Sequence, residues 1–231
     1  MNVIDTINEY SNYIKKNPYV YSIQKNGIET FLTYIHTHYE KEELQTLPLD
    51  IIDKFLTYWV PKSKRYLTFT EAYHLVYTLQ DIYYYVLKSQ RNKKDIQAPA
   101  ILDIYGEECM RIYKVREMLA RLTQDPILRT NPTVIDIEAY RKKIKDKIKH
   151  AQLLNYEQGI FQITQIKDNG QVVIKKLLDQ RCLKIVLEDP IYRYLKIGDL
   201  FHGKLRKKPF YVYWELDEIK SYYLPKAICY L

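Results

Sequence analysis

The stretch GIFQITQIKDNGQVVIKKLL, residues 159–178, decides the fold class. Within it Phe161 and Ile163 alternate with Gln162 and Thr164, the two-residue period of a strand that buries one face. Asp168-Asn169-Gly170 then supplies turn chemistry, because Asn and Gly tolerate the positive φ angles a tight hairpin demands. Residues 172–177 form the return strand. Before this stretch the apolar spacing is that of helices; after it, short strands continue to the end of the chain.

Working outward toward the C-terminus, further strands are expected over residues 182–187, 199–207 and 210–216, with a short extended piece at 222–224. Four of the six glycines fall between residues 159 and 203, where turns are needed. Five or six short strands in so few residues predict a small β-barrel, because closure removes the exposed edges of an open sheet.

Working outward toward the N-terminus, prolines rather than glycines punctuate the chain. A helix is expected over residues 20–39, with Ile28, Phe31, Leu32 and Ile35 on one face. A shorter one follows Pro48, with Ile52, Phe55, Leu56 and Trp59 as its stripe, and Pro61 is expected to end it. Thr68 and Glu71 have capping-box spacing and open a long helix reaching about residue 90, whose core face is Leu75, Leu79, Ile82 and Val86. Helices over 100–122 and 135–152 complete the series. The last carries Ile137, Ile144 and Ile148 on a narrow apolar stripe among Arg141, Lys142, Lys143, Lys145, Lys147 and Lys149, as expected of a basic linking helix. The fold class expected is α+β: a helical bundle domain over 1–133, a linking helix over 134–157 and a small barrel, OB-like or SH3-like, over 158–231.

Composition narrows the function classes. The longest run without a charged residue is residues 30–39, shorter than the roughly 18 apolar residues that suggest a membrane span. No basic segment followed by an apolar core opens the sequence, so a cytoplasmic protein with no membrane partner is expected. Cys109, Cys182 and Cys229 are far apart and show no CxxC pair, which reads as three buried, reduced thiols rather than a disulfide or zinc framework. His36 and His38 point in different directions on a helix, so no metal is assigned to them. GxGxxG, GxxxxGK[ST], HExxH and GxSxG are all absent, and the spacing around Glu107, Glu108 and Asp189 matches no catalytic motif. The expectation is a protein more non-enzymatic than enzymatic, with no catalytic residue and no cofactor assigned.

The net charge of +8 is concentrated late: residues 158–231 hold 13 Lys/Arg against 8 Asp/Glu. Alternation along 199–208 puts His202, Lys204, Arg206 and Lys208 on one strand face and Leu205 on the other. Across the hairpin, Phe210, Val212, Trp214 and Leu216 are expected to face inward, leaving Tyr211 and Tyr213 outward. Cations for phosphates beside aromatic rings for bases are what a barrel uses to bind single strands. The candidate nucleic-acid-binding set is Lys204, Arg206, Lys208, Tyr211 and Tyr213, extended by Lys175, Lys184 and Arg193.

Two resemblances bear on function. GIETFLTYI (27–35), LDIIDKFLTYW (49–59) and LTFTEAYHLVYTLQDIYYYV (67–86) occur in the order helix, short helix, long capped helix. In that order residues 19–87 resemble the SAM-like core-binding domain of tyrosine recombinases, which implies a DNA-clamping helical domain. No His-x-x-Arg box occurs, so the resemblance implies no recombinase chemistry here. KIGDLFHGKL (196–205) is similar to the Gly-Asp lead into a late strand of an OB-like barrel, and OB-like domains commonly bind oligonucleotides. The functional expectations are, in order, a nucleic-acid-binding or regulatory accessory protein, a protein–protein adaptor that docks through its helical domain, and an enzyme of unrecognised class.

Overall fold

The computed structural model describes residues 3–39, 47–64, 67–89, 98–123 and 155–231. They fall in two compact units, one of Met1–Lys114 with Lys226–Leu231 and one of Val115–Pro225. The class is α+β, with helices first and a five-stranded antiparallel sheet after them. The expected linking helix over 135–152, with its six cations, lies outside the described residues.

The helical unit begins with α1, Val3–Ile14, whose Val3, Ile7, Tyr10 and Ile14 are buried at helical spacing. Helix α2, Pro18–Tyr39, starts on a proline whose missing N–H costs nothing in the first turn, and the Asn17 side chain accepts from the Val20 N–H at 3.3 Å. Its Ile28, Phe31 and Ile35 are buried. A Cβ at Gly27 would come within 2.9 Å of Thr78, so glycine is what lets α2 cross so close to the long capped helix. At that helix's start the box closes reciprocally: the Thr68 N–H donates to Glu71 Oε2 at 2.8 Å and the Glu71 N–H to Thr68 Oγ1 at 3.2 Å.

Between these elements, α3 (Leu49–Lys54), a π-helical turn (Phe55–Trp59) and α4 (Val60–Ser63) follow one another without a break. Pro61 therefore does not end the helix as its chemistry suggested. The Val60 N–H bonds to the Phe55 carbonyl, five residues back, and this wider turn takes the ladder out of the register in which the proline ring meets a carbonyl. The same turn stacks Phe55 on Trp59 at 5.5 Å and brings Phe55 within 5.0 Å of both Phe31 and Tyr34. The capped helix is α5, Phe69–Ser89, which buries Leu75, Leu79, Ile82 and Val86. Helix α6, Ala98–Leu122, buries Cys109, and burial pushes that thiol up to about 12. Cys182 and Cys229 are exposed, contrary to expectation: one heads an edge strand and the other ends the short 3-10 turn Pro225–Cys229. That turn belongs to the helical unit, where Lys226 Nζ and the Tyr230 hydroxyl reach the buried Asp53 carboxylate at 2.9 and 3.1 Å.

The sheet unit contains β1 (Asn155–Ile166), β2 (Gln171–Lys176), β3 (Cys182–Val186), α7 (Ile191–Tyr194), β4 (Leu200–Lys207) and β5 (Glu215–Tyr223). Strand order is β3-β2-β1-β4-β5. Long β1 serves both halves, pairing β4 through 155–162 and β2 through 161–166. The interior takes Phe161, Ile163, Val172, Ile174, Phe201 and Leu205, the alternate positions of each strand. Buried Asp199 anchors the start of β4, accepting from the Tyr222 hydroxyl at 2.8 Å and the Lys196 N–H at 3.0 Å.

The expected barrel is not closed. Edge strand β3 meets Trp214, the residue before β5, at one isolated parallel bridge to Ile185, where the Trp214 N–H donates to the Lys184 carbonyl at 2.8 Å. Residues 210–213 are turn, bend and irregular chain rather than strand, so β5 starts at Glu215 and takes in Tyr222 and Tyr223 of the piece expected at 222–224, ending before Leu224. Pro209 is the physical reason, since it supplies no donor for a ladder and its fixed φ starts a turn.

Candidate nucleic-acid interface

The interface is built on β4. Gly203 and Leu205 turn inward, while His202, Lys204 and Arg206 are partly exposed on the other side. Pairing carries that face across the sheet. Tyr156 lies opposite Arg206 and Gln158 opposite Lys204, while on the far side of β1 Gln162 pairs Lys175, and Val173 pairs Lys184. Lys175, Lys184, Lys204 and Arg206 thus share one sheet face. Arg193, on α7, bonds Asp189 and is not on a strand.

Strand β5 answers these cations with carboxylates. Two register shifts interrupt its pairing with β4, and one makes Asp217 an extra residue between the pairs Lys204–Glu218 and Leu205–Leu216. Asp217 there contacts Lys204 at 3.4 Å and Arg206 at 3.5 Å. Glu215 contacts Arg206 at 3.0 Å and Lys208 at 2.8 Å. The five side chains alternate in sign along the strand: Lys204, Asp217, Arg206, Glu215, Lys208. The hydrogen bond from Lys208, with that from Arg206, holds the Glu215 carboxyl below its ordinary value.

Aromatic rings lie against the first and last cations of this row. Lys204 Nζ lies 4.1 Å from the Tyr156 ring centroid and Lys208 Nζ 5.6 Å from that of Tyr211, both within cation–π range. Lys207 sits 5.8 Å from the Trp214 ring. The connection between β4 and β5 turns at Lys208-Pro209-Phe210-Tyr211, where the Tyr211 N–H reaches the Lys208 carbonyl at 3.3 Å. Phe210 has φ +67, a left-handed conformation costly for a bulky side chain, and is 104% exposed. Tyr211 and Val212 are exposed beside it, and Tyr213 is partly covered.

The structure thus brings Lys204, Arg206, Lys208 and Tyr211 together, places Tyr213 in the same connection, and sets Lys175 and Lys184 on the same face across β1. Phe210 and Val212, expected inward, are at the surface because they sit on a turn and not in a strand. Sequence reasoning missed Phe210, Tyr156 and the two carboxylates. The signal for Phe210 was Pro209, a turn former directly before it. Among the described residues, no group of three or more His, Cys, Asp or Glu side chains is placed to hold a metal ion. No described helix is long and apolar enough to cross a membrane. Comparison with protein-family models, curated proteins and solved structures returns no match.

Proposed function

We propose that this protein binds single-stranded nucleic acid through the outer face of β4 and the β4–β5 connection. The observation that carries the reading is the exposed Phe210-Tyr211-Val212 tip standing beside Lys207 and Lys208. Exposed aromatic side chains next to cations are the elements of a stacking platform for bases. Strained backbone at Phe210 supports the same reading, since conformations that cost free energy persist where function uses them. We read the sheet as a partly open OB-like barrel: five strands, a long first strand shared by both halves, and edges meeting at Ile185 and Trp214. In that fold the β4–β5 loop is a binding element.

Stacking contributes about 1–3 kcal/mol per base. Phe210→Ala and Tyr211→Ala are each expected to weaken binding of a fluorescent 15-mer single strand by about 5- to 150-fold while leaving the melting temperature unchanged. Unchanged affinity in the double variant removes the proposal. A second reading, docking of a protein partner on the helical unit, is favoured by Phe69, Tyr73, Tyr77 and Tyr84, which are exposed along α5. Its mark is a partner retained by the full chain after nuclease treatment and lost when Tyr73 and Tyr77 are replaced by Ser.

A further inference from the structure

The row Lys204, Asp217, Arg206, Glu215, Lys208 is an unusual surface with which to meet a polyanion. Each carboxylate bridges two cations, so three positive charges and two negative ones leave a net charge of +1. Beyond about a Debye length the opposite charges largely cancel, and the row attracts phosphate little more than a single lysine does. A phosphate that docks on Arg206 must displace Glu215 or Asp217 or lie against them. The position of Asp217 is a built feature: the bulge that inserts it in β5 is what lets one side chain reach both Lys204 and Arg206.

The same row is well matched to the edges of bases. Carboxylates accept from exocyclic amino groups, and Arg or Lys donates to ring nitrogens and keto oxygens. An alternation of acceptors and donors, with the Tyr156 ring against Lys204 and the Tyr211 ring against Lys208, offers edge contacts beside two rings on which bases can stack. In a duplex the Watson–Crick edges are paired and the base faces are stacked on one another, so neither ring can take a base, and the edges that remain open are recessed in grooves flanked by phosphates.

We infer that Glu215 and Asp217 make this surface selective for unpaired nucleobases and hold off polyanions as such. The inference rests on the single-strand reading above and adds to it the exclusion of duplexes and of non-nucleic polyanions. It assigns the two acids a specificity role in place of a purely structural one.

The test uses the full-length protein, a mixed-sequence 20-mer single strand, the duplex of that sequence, and heparin. Wild type is expected to bind the single strand at least tenfold more tightly than the duplex or heparin. In Glu215→Gln/Asp217→Asn, duplex and heparin affinities are expected to rise at least tenfold. The slope of log K against log salt for the duplex steepens by about one for each carboxylate removed. Asp217→Asn alone, which keeps the Glu215 bridge, is expected to show part of the gain. Glu188→Gln, at an exposed acid off both β4 and β5, is expected to show none. Unchanged duplex and heparin affinities in both Asp217 variants, with single-strand binding intact, overturn the inference and leave the functional reading standing. Absence of single-strand binding by wild type overturns the functional reading itself.

Discussion

A methyl group added at Gly170 would meet the Leu187 carbonyl oxygen at 2.3 Å, on a backbone whose φ is +78. The residue closes the β1–β2 turn through its N–H to the Lys167 carbonyl at 3.0 Å, and its own carbonyl takes the Leu187 N–H at 2.9 Å. Gly170→Ala is therefore expected to destabilise the sheet unit by more than about 2 kcal/mol, from the left-handed backbone and the clash together. Urea unfolding followed by tryptophan fluorescence in a Trp59→Phe background, where Trp214 alone reports, measures it. Asp-Asn-Gly makes this residue legible from local sequence, because positive φ is a property of the residue and its neighbours. Phe210 is not legible in the same way. Its φ of +67 opposes its own preference, and only the surrounding turn holds it there.

At the scale of elements, the Thr68–Glu71 box shows how far local chemistry reaches. Both hydrogen bonds lie within four residues, so spacing alone located the start of α5. Thr68→Ala is expected to cost about 1 kcal/mol of helical-unit stability, read as a lowered melting temperature in circular dichroism. Two other elements defeated such reading. Helix α1 has neither a proline before it nor a glycine after it, and its stripe of Val3, Ile7, Tyr10 and Ile14 is short. The run from α3 to α4 passes through Pro61 because a π turn precedes it, and that turn accompanies the packing of Phe55 and Trp59 with Tyr34. Strand β5 starts five residues later than alternation suggested, since alternating side chains on a turn look like those on a strand.

For the molecule as a whole, acid is the informative perturbation. A hydrogen bond from Lys176, with another from Arg181, holds the Glu157 carboxyl below its ordinary value, and Lys208 with Arg206 does the same for Glu215. Groups depressed in this way stabilise the fold above their unfolded pKa, and that contribution disappears as pH falls through the lower folded value. The melting temperature of the sheet unit, followed by Trp214 fluorescence in the Trp59→Phe background, is expected to be level from pH 7 to 5 and to fall below about pH 4. Glu157→Gln is expected to flatten that fall. The paired charges also mark where the two levels of information divide. Apolar period, turn residues and capping spacing determined that helices come first and antiparallel strands follow, since those signals act over a few neighbouring residues. Tertiary structure alone decided that Asp217 and Glu215 lie between Lys204, Arg206 and Lys208, and that Ile185 of β3 bridges Trp214 just before β5. Strand register, bulges and edge contacts depend on residues distant in the chain, and no local preference encodes which of them will face one another.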